Sequence, residues 1–135
     1  MSEPVLVAFL FADRIITEDN QKKGIIGTFT RFHSQQFPVS FPLWFIYSAI
    51  TNIAPGKHPI GITITNVQTK QVVMSVNADL DAAGPGNLDD VVEFSIPVIN
   101  VVFPEAGKYD VSIVMDGETV GSRALQVMLH PAVAN

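Results

Sequence analysis

The stretch from Phe103 to Val120 constrains the fold more than any other part of the chain. Tyr109, Val111, Ile113 and Met115 alternate with Lys108, Asp110, Ser112 and Val114. A period of two places the first set on the buried face of a strand and leaves the second set mostly wet. Pro104 and Gly107 turn the chain into this strand. Asp116-Gly117 turns it out again, and that dipeptide tolerates the positive φ angles a tight hairpin needs.

The rest of the chain carries the same signature. Val5–Ile16 reads as a strand whose first half is apolar on both faces. A polar turn over Glu18–Lys23 leads to a second strand, Gly24–Phe32, in which Gly27 marks a bulge or a close backbone contact. His33–Pro42 is a connection, held extended before Pro38 and Pro42. Leu43–Asn52 is the third strand, with Trp44, Ile46, Ser48 and Ile50 on one face and Leu43, Phe45, Tyr47 and Ala49 on the other. Pro59–Asn66 alternates between inward Ile60, Ile62 and Ile64 and outward Gly61, Thr63 and Thr65, and Gln71–Leu80 is its hairpin partner. Ala82–Asn87 is a flexible loop. Val91–Phe103 is apolar but broken at Pro97 and Asn100, so it forms two short strands or one bulged one. Glu118–Leu129 is the last strand, and His130–Asn135 is a frayed tail.

This pattern of seven to nine strands predicts an all-β fold, an antiparallel two-sheet sandwich of immunoglobulin-like type. A small β-barrel is the alternative. Gly107-Lys108-Tyr109 is similar to the tyrosine corner of such sandwiches, in which the phenol bonds back to the preceding turn. Trp44 then belongs to the core. A chain of 135 residues fits one domain, 1–135.

Composition removes several function classes. Eight Lys and Arg against 13 Asp and Glu, a net charge of −5, leave no basic patch for nucleic acid or an anionic membrane. Without cysteine there is no disulfide, thiolate metal site or cysteine nucleophile. Val5–Ala12 is too short to span a bilayer, and Glu3 stands where a leader would be basic, so the expectation is a cytoplasmic protein. Charged residues make up only 16% of the chain, which points to apolar surface covered by a homodimer or a protein partner.

Phe-Ala-Asp-Arg, then Gly-Ile-Ile-Gly-Thr-Phe, a Phe-Pro, Gly-Lys-His-Pro-Ile-Gly-Ile-Thr-Ile and the late Gly-Lys-Tyr-Asp-Val together resemble a family of small uncharacterised bacterial proteins. That family is known only as a domain of unknown function. The resemblance spans about Val5 to Val127, and its landmarks here are Asp13, Gly27, Phe29, Pro38, Gly56, His58, Gly107 and Tyr109. It implies a sandwich-type β domain, and no reaction, cofactor or catalytic residue.

The chemistry on offer is sparse. Asp79, Asp81 and Asp90 bracket an acidic stretch whose spacing approaches a calcium loop, but Ala83 and Asp90 stand where oxygen-rich ligands belong. A solvated acidic loop is the better reading, and no metal is expected. His33, His58 and His130 lack metal-ligand spacing. His58 enters a strand from a turn, where its ring nitrogens can bond backbone carbonyls. Asp13-Arg14 reads as a partly buried ion pair or a turn element. No nucleophile elbow, phosphate loop or dinucleotide fingerprint is present. The sequence names no specific activity. It favours a non-enzymatic interaction or structural module, and the alternative is a ligand- or metal-binding domain or hydrolase using the Asp79–Asp90 stretch or a histidine.

Overall fold

The structure is a computed structural model that describes residues 4–82 and 91–130. It contains β1 (Val5–Thr17), β2 (Lys23–Phe29), β3 (Arg31–Ser34), β4 (Val39–Thr51), β5 (Gly56–Asn66), β6 (Val72–Ala82), β7 (Val91–Phe103), β8 (Gly107–Met115) and β9 (Glu118–Leu129), with no helix among the described residues. Two sheets, β2-β1-β4-β7 and β3-β9-β8-β5-β6, pack together as an all-β sandwich. Neighbours are antiparallel except β3 and β9, which run parallel.

Alternation builds the core as the sequence predicts. In the second sheet Ile60, Ile62 and Ile64 of β5 lie opposite Met115, Ile113 and Val111 of β8, and all six are buried. Phe9, Phe11, Trp44, Ile46 and Val98 answer them from the first sheet. Burying one such aliphatic side chain stabilises the fold by roughly 1.5–3 kcal/mol. Trp44 is a core residue, touched edge-on by Phe11 and Phe32 at centroid distances of 5.7 and 5.3 Å. A second apolar cluster, centred on Ile50, Ile60, Leu80 and Met115, fills the opposite end.

Four sequence expectations need correction. The first is the strand Gly24–Phe32, which is two strands in two sheets. Phe29 pairs with Phe11 in the first sheet and Phe32 with Val127 in the second. The chain crosses at Thr30, and the two rings meet with centroids 4.5 Å apart. Residues 29 and 32 have opposite parity, so both can reach one core only if the strand breaks between them.

The second concerns the connection before β4, which is shorter than His33–Pro42. It covers residues 35–38 and includes a cis Phe37-Pro38 bond. The third concerns Val91–Phe103, which is one continuous edge strand. Pro97 is tolerated there because the edge needs no donor. Pro42 of β4 faces Asn100 of β7, whose φ is +52°. At that rung both strands roll over: Phe41 and Val101 turn inward on one side of it, Trp44 and Val98 on the other, and Leu43 and Ile99 end up outside.

The fourth concerns Asp13 and Arg14, which are exposed within β1 and make neither a buried pair nor a turn. Asp13 has a packing role instead. A Cβ on Gly27 would stand 2.5 Å from its Oδ2, and Gly27 has φ +72°. Close approach and left-handed backbone both demand glycine there. Residues 83–87 of the expected flexible loop and 131–135 of the expected frayed tail lie outside the described residues.

Arg123 ties the sheets together. It faces inward from β9, and its Nη1 donates to the Phe9 carbonyl at 2.6 Å while its guanidinium lies 5.8 Å from the Phe11 ring centroid. The β1–β2 register would set residue 31 opposite Phe9, but the chain has left for the other sheet by then. The guanidinium supplies the donor that the departing strand takes away.

Candidate functional site

His58 is a titratable side chain with a built environment. Its ring lies between the β4–β5 turn and the β8–β9 hairpin. Nε2 is 2.6 Å from the Ala54 carbonyl oxygen and Nδ1 is 2.7 Å from Asp116 Oδ2. Asp116 and Gly117 both have positive φ, 54° and 83°, which the two-residue hairpin between Met115 and Glu118 requires. The Asp116 amide donates to the Pro59 carbonyl at 3.0 Å and holds the hairpin against β5.

A carbonyl and a carboxylate only accept, so both ring nitrogens must donate, and the ring that fits is the imidazolium. The His58 pKa is accordingly raised, first by the Ala54 carbonyl and then by Asp116, with burial opposing. A general base presents an unprotonated nitrogen to its substrate. Here both nitrogens are engaged within the chain, and the arrangement acts as a clamp between two turns.

The other end of β8 carries a second clamp. Asn66 is buried, and its Oδ1 accepts from the Gln68 and Thr69 amides at 2.9 and 3.0 Å. Its Nδ2 reaches Glu105 Oε1 at 3.5 Å, and the Val67 amide donates to the Lys108 carbonyl at 3.0 Å. The Tyr109 hydroxyl donates to the Glu105 carbonyl at 2.7 Å, which is the expected tyrosine corner. Asn66 went unread in the sequence, although asparagine before a polar turn is the usual sign of this side-chain-to-backbone chemistry.

The other singled-out residues do not converge. Asp79 and Asp81 lie on β6 rather than in a loop, opposite Pro59 and Lys57, and both are exposed. Asp90 lies outside the described residues. An extended strand sets residues two apart side by side along its length instead of around one point. Among the described residues no group of three His, Cys, Asp or Glu is placed to hold a metal ion. His33 and His130 meet edge to face, with centroids 5.7 Å apart, at the end of β9 away from Asp116.

The two outer faces differ. That of the second sheet is polar, with Thr63, Thr65, Asp110 and Ser112 side by side and Ser112 donating to Asp110. That of the first sheet is apolar. Tyr47 lies nearly buried on it, its hydroxyl donating to Glu93. Burial, and then the Glu93 carboxylate, push the Tyr47 pKa up to about 12. Beside it Leu43 and Ile99, directly paired, remain 51% and 61% exposed. Among the described residues no helix is long and apolar enough to cross a membrane.

These features define an all-β sandwich whose described polar clusters fasten its turns. The chain belongs to DUF6941, a family of unknown function, whose profile matches residues 7–128. Gly56, His58, Gly107 and Tyr109, landmarks of the resemblance, fall in or beside the two clamps, and Asp13 and Gly27 form the close contact between β1 and β2. A search of curated proteins finds no match. Among solved structures the chain is similar to a β-glucosidase from Listeria innocua, crystallised in complex with isofagomine. The identity is 12% and the TM-score 0.48, and the match covers 97% of this chain and 17% of that enzyme's length.

Proposed function

We propose that residues 1–135 act as one non-enzymatic interaction module of the bacterial cytoplasm, working as a homodimer. The observation that carries this reading is the apolar outer face of the β2-β1-β4-β7 sheet. Leu43 and Ile99 stand exposed there beside Phe45 and Pro97, and Ile26 is exposed on the same face. Contiguous apolar surface on a sandwich is normally covered, and twofold self-association is the commonest way to cover it. The face carries Arg14 toward one end and Glu93 toward the other, so an inverted second copy brings opposite charges together. In this reading Asp79 and Asp81 are solvated strand charges rather than metal ligands.

Light scattering at micromolar concentration tests it. The native chain is expected at twice the protomer mass or more, and Leu43→Glu is expected to lower that mass with an unchanged circular dichroism spectrum. A native chain of single-protomer mass would refute the proposal.

A further inference from the structure

The four sheet edges are not equally protected. An edge strand offers unpaired backbone groups to any extended chain, and proteins blunt such edges with proline, lysine, brevity or irregular backbone. β3 has four residues. β2 is short, begins at Lys23 and is bent at Gly27. β7 carries Pro97 and the left-handed Asn100. β6 is different: it spans 11 residues without proline, glycine, lysine or a described positive φ, and the extra residue Val73 near its start is its single irregularity. No described strand pairs with it on the side away from β5. Val72 is 53% exposed at its start, and Ser75, Asn77 and Ala78 are exposed further on.

We propose that β6 pairs with the β6 of a second copy, antiparallel about a twofold axis at Ser75, so that the second sheet continues through two protomers. That register sets Met74 beside Val76 on the inner row, apolar against apolar; Val72 lies past the extra residue, opposite Thr65 on the outer row. On the outer row Ser75 meets its own copy, while Val73, the extra residue, packs against the core. The ends decide the direction. Asp79 and Asp81 lie near the C-terminal end of β6, and Lys70 lies just before its N-terminal end, exposed. Antiparallel pairing brings each copy's Lys70 beside the other's two carboxylates. Parallel pairing would set carboxylate beside carboxylate. The acidic residues of the strand thus select one orientation of one partner.

This contact is separate from the apolar face. Two different twofold contacts on one protomer generate a closed tetramer or an open string.

The absence of cysteine provides the test. Directly paired residues of antiparallel strands have Cα atoms about 4.5–5.5 Å apart, within the span of a disulfide. Ser75→Cys is expected to give a covalent dimer under mild oxidation at micromolar concentration. Asp81→Cys is not, because in this register Asp81 lies past the start of the other copy's β6 at Val72 and has no strand residue opposite it. Adding Lys70→Asp to Ser75→Cys should slow the link by about tenfold, since both symmetry-related sites then repel. Adding Asp79→Lys and Asp81→Lys to that variant should restore it. Leu43→Glu should leave the link intact, which separates this contact from the face. Failure of Ser75→Cys to link, equal linking through Asp81→Cys, or no rescue by the charge swap would each overturn the proposal. So would loss of the link in folded Leu43→Glu.

Discussion

The His58 clamp makes stability depend on pH. Both nitrogens face acceptors, so the neutral ring leaves either the Ala54 carbonyl or the Asp116 carboxylate opposite a lone pair. The folded state therefore binds its proton more tightly than the unfolded chain, whose histidine titrates near about 6.5. A raised folded pKa gives stability that is fully present below the unfolded value and is lost as pH rises through the folded one. The His58 side chain is 14% exposed and that of Asp116 48%, so solvent screens the ion pair. A half-exposed pair with one further charge-assisted bond is worth about 1 kcal/mol. In a domain of this size that corresponds to about 3–5 °C in the melting temperature. Urea denaturation from pH 5 to pH 9 measures it. The native chain should lose about 1 kcal/mol across the window relative to His58→Gln, with the other titrating groups cancelling in the difference. Parallel pH profiles for the two proteins would show that the clamp holds a neutral ring and that the reasoning is wrong.

Three further perturbations test other parts of the fold. Tyr109→Phe removes the hydroxyl that bonds Glu105 and should destabilise by about 1 kcal/mol in denaturant titration. Ser48→Ala should be neutral or stabilising by up to about 1 kcal/mol, because the buried Ser48 hydroxyl has no hydrogen-bond partner among the described residues; a loss of stability would refute this. Gly27→Ala should destabilise by at least about 1 kcal/mol, since its backbone is left-handed and the new methyl collides with Asp13; pairing it with Asp13→Ala should recover only the steric part of that loss.

What was legible follows from what strand alternation encodes. The inward faces of β5 and β8, the Trp44 core position, the Asp116-Gly117 hairpin and the tyrosine corner could all be read from residues close together in sequence. The break at Thr30 could not, because β-branched and aromatic residues favour extended backbone whichever sheet receives it. Phe29 and Phe32, three apart and both aromatic, were the one local hint. The roll-over at Pro42 and Asn100 needs two strands read as a rung, and that pairing is non-local. The spacing of Asp79 and Asp81 toward Asp90 suggests an acidic loop, yet the register with Pro59 and Lys57 extends β6 through both. The Asp116 partner of His58 lies 58 residues away, and only the fold brings the two together.

The contact of Arg123 with Phe9 has a mechanical consequence. Together with Leu6 over Gly121, it shows β1 and β9 advancing in the same direction on opposite sides of the sandwich. Val5 and Leu129 therefore sit at opposite ends of the molecule. Tension applied between them acts along the strands and not across them. The ladders that hold β1 to β4 and β9 to β8 would then be loaded in shear, with all their hydrogen bonds resisting at once rather than opening one after another.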